Sequence, residues 1–225
     1  MTESSSAIPP DIDWIESAEI VPYEEALAFM EQRAAAIRSG EARECVWLLE
    51  HPPLFTAGTS ADPAELTNPN GFPVHQAGRG GRYTYHGPGQ RVAYVMLDLE
   101  KRGKDIRRFV YSLEQWMIDA LAQLGVNARR AEGRIGIWVG DGPDEAKIGA
   151  LGVRVKRWVT LHGIAVNVAP DLAHFGGIIP CGIADYGVTS LAQLGKQMPV
   201  QTVDAALKLS FRQFLNGLGP PCKVS

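Results

Sequence analysis

At 225 residues, with 25 acidic against 22 basic side chains and a formal charge of −3, the chain suits one full-sized α/β domain and has no overall basic field for nucleic acid or an anionic membrane. Its three cysteines (Cys45, Cys181, Cys222) are widely spaced without a CxxC pair, which fits a reducing compartment and argues against a disulfide framework. No apolar run reaches the length of a membrane span and residues 1–13 have no signal-peptide pattern, so a cytoplasmic protein is expected.

In chain order, residues 1–13 are rich in Ser and Pro and read as a flexible arm. A single catalytic domain over 14–219 and a short tail over 220–225 complete the expected division. Pro22 opens a helix whose Leu27, Met30, Ala34 and Ile37 recur at helical spacing, and Gly40 closes it. Glu44–Glu50 is a strand with a continuous apolar centre, expected to be covered on both faces. The Pro-, Gly- and Asn-rich stretch to Gly78 reads as an irregular excursion, followed by a strand over 91–99. Asp105 caps a long helix with the stripe Ile106, Phe109, Leu113, Trp116, Ala120 and Leu124, ended by Gly125. Strands follow at Arg134–Val139, Ala146–Lys156 and 158–168, the last two as a tight hairpin, and a final helix spans about 203–215. Strands in neighbouring groups flanked by helices predict an α+β domain on a mixed sheet rather than a regular βαβ array.

The usual catalytic signatures are missing. The five histidines are separated in sequence, there is no HExxH, zinc-type Cys/His spacing or EF-hand loop, and neither glycine-rich segment is a nucleotide loop. Small residues do gather around reactive side chains in three places: 79–90, 147–152 with 162–165, and Pro180-Cys181-Gly182. A cysteine between Pro and Gly sits on a turn open to a ligand; it is either a nucleophile, which needs a cationic or basic partner to lower its pKa, or a structural thiol. Lys147 leads into a strand of small and apolar residues. It is either a solvent-pointing end or a desolvated proton shuttle beside a channel. His86 either orients a substrate or is a hydrogen-bonded structural residue.

The motifs RGG-x-x-T-Y-H-G-P-G-Q, K-I-x-A-x-G-V, H-G-x-A-x-N-V and P-C-G occur here in that order. In this combination the chain resembles the octanoyl-acyl carrier protein:protein octanoyltransferases, the lipoate-protein ligase B family, over roughly residues 46–194. The resemblance implies a mixed, largely antiparallel β-sheet flanked by helices, like that of the biotin and lipoate protein ligases. It implies a ping-pong reaction in which Cys181 takes an octanoyl group from acyl carrier protein as a thioester. The group then passes to a lysine of a lipoyl domain of 2-oxoacid dehydrogenases or of the glycine-cleavage H protein. By motif, Lys147 is the residue that lowers the pKa of Cys181 and shuttles its proton. Arg79, Gly80, Gly81, Arg82, Tyr83, Thr84, Tyr85 and His86 match one substrate-binding stretch. Ala150, Leu151 and Gly152 match a second, and Gly163, Ile164 and Ala165 a third. Ile179 departs from the Asn that many members carry, and 140–145 matches no motif.

No cofactor and no metal are expected, the partners being the two carrier proteins rather than nucleic acid or membrane, and a monomer is the default expectation. Backbone N–H groups at Cys181-Gly182 and Leu151-Gly152 are the candidate oxyanion donors. Arg79, Arg82 and Arg91, with Arg154, Lys156 and Arg157, are either a docking rim for acidic partners or ordinary solvated charges. Three rival functions stay open: an ATP-dependent ligase of the same fold, a non-catalytic binder of the carrier domains, and a thioesterase.

Overall fold

The computed structural model describes residues 8–178 and 187–219. Its elements are β1 (Ile12–Ile20), α1 (Tyr23–Ser39), β2 (Glu44–Glu50), β3 (Leu54–Ala57), β4 (Val74–Gln76), β5 (Thr84–His86), β6 (Gln90–Met96), α2 (Ile106–Gln123), β7 (Arg129–Ala131), β8 (Arg134–Val139), β9 (Ala146–Lys156), β10 (Val159–Asn167), β11 (Gly187–Val188) and α3 (Val200–Gly217). The main sheet has eight strands in the order β1-β2-β6-β10-β9-β8-β7, with β11 pairing β9. Only β1–β2 and β11–β9 run parallel in it, so the sheet is mixed and largely antiparallel, as expected. A second sheet, β4-β3-β5, has three strands.

Alternation along β2 explains the layering. Cys45, Trp47 and Leu49 face α1, where Ala26, Met30, Ala34 and Ile37 cover them. Val46 and Leu48 face the opposite way into the core built with α2 and α3. A strand buried on both faces reads as a continuous apolar run, and here that reading is right. On the far face Trp116, Phe211 and Phe214 lie ring against ring, with Trp116–Phe214 centroids 5.2 Å apart. Full burial of side chains this size contributes about 1.5–3 kcal/mol each.

Helix ends follow their caps. Asp105 Oδ1 accepts from Arg108 N at 2.9 Å, and Gly40 takes the left-handed conformation (φ 82°) that stops α1. Two expectations need correction. The expected boundary between a flexible arm over 1–13 and a domain from 14 falls inside β1, since Ile12 and Asp13 already pair with Glu44 and Cys45. The excursion before Gly78 is not irregular throughout, because it contains β3 and β4. No helix among the described residues is long and apolar enough to cross a membrane.

Candidate active site

A cavity of ≈ 370 Å³ lies between the small sheet and the β6–β10–β9 part of the large one. Every expected substrate-binding residue except Tyr85 lines it: Arg79, Gly80, Gly81, Arg82, Tyr83, Thr84, His86, Ala150, Leu151, Gly152, Gly163, Ile164 and Ala165. Tyr85 turns into the small core with Phe55 and Phe175, and its hydroxyl hydrogen-bonds His174 Nδ1 at 2.8 Å. Burial pushes that phenol up to about 12. Cys181, with Pro180 and Gly182, lies outside the described residues, as does Cys222. Cys45 is fully buried in β2, its thiol pushed up to about 11 by burial, which suits a packing role.

Lys147 does reach the cavity. Its Nζ stands 5.7 Å from the centre of the Trp138 ring, its neighbour across the β8–β9 ladder. Its side chain runs over Gly136, which has φ 120°; a Cβ there would lie 2.3 Å from Lys147 Cε and 2.8 Å from Nζ. Gly136 therefore makes the channel through which the lysine passes. On its other side Lys147 pairs with Val188, and Thr189 N donates to Lys147 O at 2.9 Å. Ile178, the last described residue before the Cys181 segment, and Val188, the second described residue after it, both line the cavity.

Two of the arginines, Arg79 and Arg91, are buried and serve the fold, not a docking rim. Arg79 is only 7% exposed, and its guanidinium donates to Thr56 O, Thr56 Oγ1, Gly80 O and Arg82 O at 2.8–3.0 Å. It is a strut that shapes the 78–83 loop. Gly152 leaves room for it, since a Cβ there would sit 2.7 Å from Arg79 Cδ. Arg82 is tied to Glu65, and Arg91 is buried in a two-pronged ion pair with Asp204, both bonds 2.7 Å. In the 140–145 loop, Glu145 is 6% exposed, and hydrogen bonds from Arg134 and then Arg129 hold its carboxyl below the usual range. Of the six basic side chains 79, 82, 91, 154, 156 and 157, Arg82, Lys156 and Arg157 are exposed and Arg154 is half-buried, reaching Glu31 at 3.1 Å.

The histidines are far apart in sequence, yet three converge. His51 Nδ1 donates to Val21 O at 2.6 Å, so its Nε2 accepts from the Tyr94 hydroxyl at 2.7 Å. The His51 and His86 rings are 5.8 Å apart, and Tyr23 stacks on His162 with its hydroxyl 3.1 Å from Nε2. Desolvation, the largest cause each time, lowers His51 to about 4 and His86 and His162 to about 3. Burial likewise raises Tyr23 to about 12 and Tyr94 well above its ordinary value. The rings and phenols at this end of the cavity are neutral, with the buried Arg79 guanidinium as the charge beside them. His162 is also left-handed (φ 64°); its ring lies against Tyr23 and Tyr94, while its backbone N–H donates to Met30 Sδ at 3.3 Å.

Sequence reading missed Tyr23, Tyr94, Gly136, Gln90 and Asn167. The last two stand inside the quoted motifs, and that was the available signal.

Comparison with known proteins agrees with this architecture. Residues 22–212 match the family model described as the lipoyl protein ligase A/B catalytic domain. An octanoyltransferase of Sphingopyxis alaskensis is 66% identical over 212 residues, covering 94% of this chain and 97% of that protein. The archaeal bi-partite lipoate protein ligase of Thermoplasma acidophilum, solved in a study with its E2 lipoyl domain, superposes with a TM-score of 0.67 at 17% identity, over 91% of this chain and 83% of that one. The biotin protein ligase of Aquifex aeolicus gives 0.50 at 11% identity, over 91% and 68%. These last two are likenesses of fold alone. On the family match and the 66% identity, the chain belongs to the lipoyl protein ligase A/B catalytic-domain family.

Proposed function

We propose that this acyltransferase of protein lipoylation moves an octanoyl group from the phosphopantetheine thioester of acyl carrier protein to a lysine of a lipoyl domain, through a thioester on Cys181. Octanoyl transfer itself accords with the 66% identity to an octanoyltransferase over nearly the full length of both chains. The observation that carries the site assignment is Lys147 lining the cavity and laddered to Val188, with Ile178, shortly before Cys181 in the chain, lining it as well.

In the first half-reaction the Cys181 thiolate attacks the thioester carbonyl. A new carbon–sulfur bond forms, the pantetheine thiolate leaves, and Lys147 gives it a proton. In the second, the lysine amine of the acceptor attacks the enzyme thioester, an amide forms, and the Cys181 thiolate departs while Lys147 takes the amine's proton. Thioester exchange is close to even in energy, so the reaction needs neither ATP nor a metal. Val92, Ala150 and Ala165 give the cavity an apolar stretch, where each buried methylene contributes about 0.8 kcal/mol. That separates octanoyl from acetyl easily. Acyl carrier protein, the lipoyl-domain acceptor, the cytoplasm and a monomeric state complete the proposal.

The test is intact mass after mixing the protein with octanoyl-acyl carrier protein without ATP. An octanoyl adduct removed by hydroxylamine, absent in Cys181→Ser and consumed by added lipoyl domain, is expected. No adduct on the wild type together with ATP-dependent labelling of the acceptor sinks the proposal, and release of free acid in the presence of acceptor favours the thioesterase.

A further inference from the structure

Beside Lys147 the buried polar groups form one chain of hydrogen bonds, and it can be read in only one direction. It is rooted at the main-chain carbonyl of Thr189, which can only accept; Asn167 Nδ2 donates to it at 2.9 Å. The other side-chain atom of Asn167 is therefore its oxygen, and Gln90 Nε2 donates to that oxygen at 3.0 Å. Gln90 is left with its own oxygen facing His86 Nδ1 at 2.6 Å, and an oxygen facing a ring nitrogen requires a hydrogen on that nitrogen. His86, Gln90, Asn167 and Thr189 are 7%, 1%, 3% and 5% exposed. Turning either amide over would set acceptor against acceptor with little water to relieve it.

We infer that Gln90 and Asn167 are positioning residues that lock His86 as its Nδ1–H tautomer, so that Nε2 meets the substrate as a hydrogen-bond acceptor. The inference rests on reading the cavity as the acyl-transfer site. Burial, which lowers His86 to about 3, keeps the ring neutral, so it has no second N–H to give. Neutral and protonated at Nδ1, the ring cannot donate from Nε2 to a developing oxyanion. Its partner is an N–H or S–H donor: an amide of the pantetheine arm, or the incoming amine. The chain is also fixed to the reactive lysine. Thr189 N holds Lys147 O at 2.9 Å, and Leu191 N holds Asn167 O at 2.9 Å. One short stretch after β11 thus sets the His86 tautomer and the backbone of Lys147 together.

The tautomer is directly measurable. In protein labelled with ¹⁵N-histidine, the long-range proton–nitrogen spectrum of the full-length wild type should show His86 protonated at Nδ1 and bare at Nε2, with assignment by loss of the signal in His86→Phe. Asn167→Leu removes the oxygen that holds Gln90 Nε2, so nothing sets which end of the Gln90 amide faces His86. It should lose the Nδ1–H signature and cut kcat/KM by about tenfold or more. Asn167→Asp still offers Gln90 an acceptor and should keep the Nδ1–H signature. If residue 167 merely filled space, Asn167→Leu would leave the tautomer unchanged. An Nε2–H ring in the active wild type overturns the inference, as does an Asn167→Leu protein that keeps both tautomer and kcat/KM. An Nδ1–H ring in a wild type that transfers no acyl group would instead sink the reaction proposed above.

Discussion

Replacing Gly136 by alanine tests whether the position of Lys147 matters, without touching its chemistry. The added Cβ would stand 2.3 Å from Lys147 Cε, 2.8 Å from Nζ and 2.9 Å from Gly149 O. Carbon atoms in contact settle at about 3.5–4.0 Å, so the lysine must give way by more than about 1 Å. Misplacing a catalytic group by that distance costs about 10²-fold, and the backbone at φ 120° adds about 1–3 kcal/mol of strain in the folded state. Gly136→Ala should therefore lose about 10²-fold in kcat/KM for octanoyl transfer to a lipoyl domain, read as acceptor mass against time. Its melting temperature should fall moderately. The cycle with Lys147→Met separates the two effects: once the lysine end is gone, Gly136→Ala should lower stability but cost almost nothing further in rate. If Gly136→Ala transfers octanoyl as fast as the wild type, or if its rate loss persists undiminished beside Lys147→Met, the channel argument is refuted.

Two further outcomes are expected. Asp204→Asn leaves Arg91 charged, buried and half-paired, and should cost about 3–5 kcal/mol of unfolding free energy in urea, with activity per folded molecule retained; an unchanged midpoint would contradict it. Because His51, His86 and His162 have folded values of about 4, 3 and 3 against 6.5 in the unfolded chain, their stabilisation is complete above pH 6.5. It is lost as pH falls towards those folded values, each ring removing about 1.4 kcal/mol per pH unit, so an unfolding free energy that stays flat from neutrality to about pH 5 would refute their buried neutrality.

Local signals carried much of the fold. Glu44–Glu50, Arg134–Val139 and Ala146–Lys156 are strands with the bounds read from the sequence, and Gly40 and Asp105 end and start the helices that their chemistry demands. β1 was missed because among the described residues it pairs only with β2, which it meets in parallel across the whole of α1, and its polar residues gave no local period. β3, β4 and β5 are three or four residues each, and pair only with one another across proline and glycine. The site shows the same division. Its motif residues could be named, but not their offices: Arg79 looked like a rim cation until Thr56 proved to hold it, and Arg91 finds Asp204 on α3, far along the chain. Gly136 and Tyr23 entered through register and packing, which no motif spells out.

The low basicity of His86 and His162 bears on fidelity and on how such a protein could change its trade. Rings that take up a proton only near pH 3 are feeble bases, and both line the cavity proposed to hold the acyl group. On the proposed mechanism, Lys147 is then the base left to move protons there, and neither imidazole competes with it by drawing a proton from a stray water molecule. Opening this end to solvent would restore an imidazole to ordinary basicity and add a second base able to activate water. The desolvation that makes these histidines expensive to bury thus takes two candidate water activators out of play.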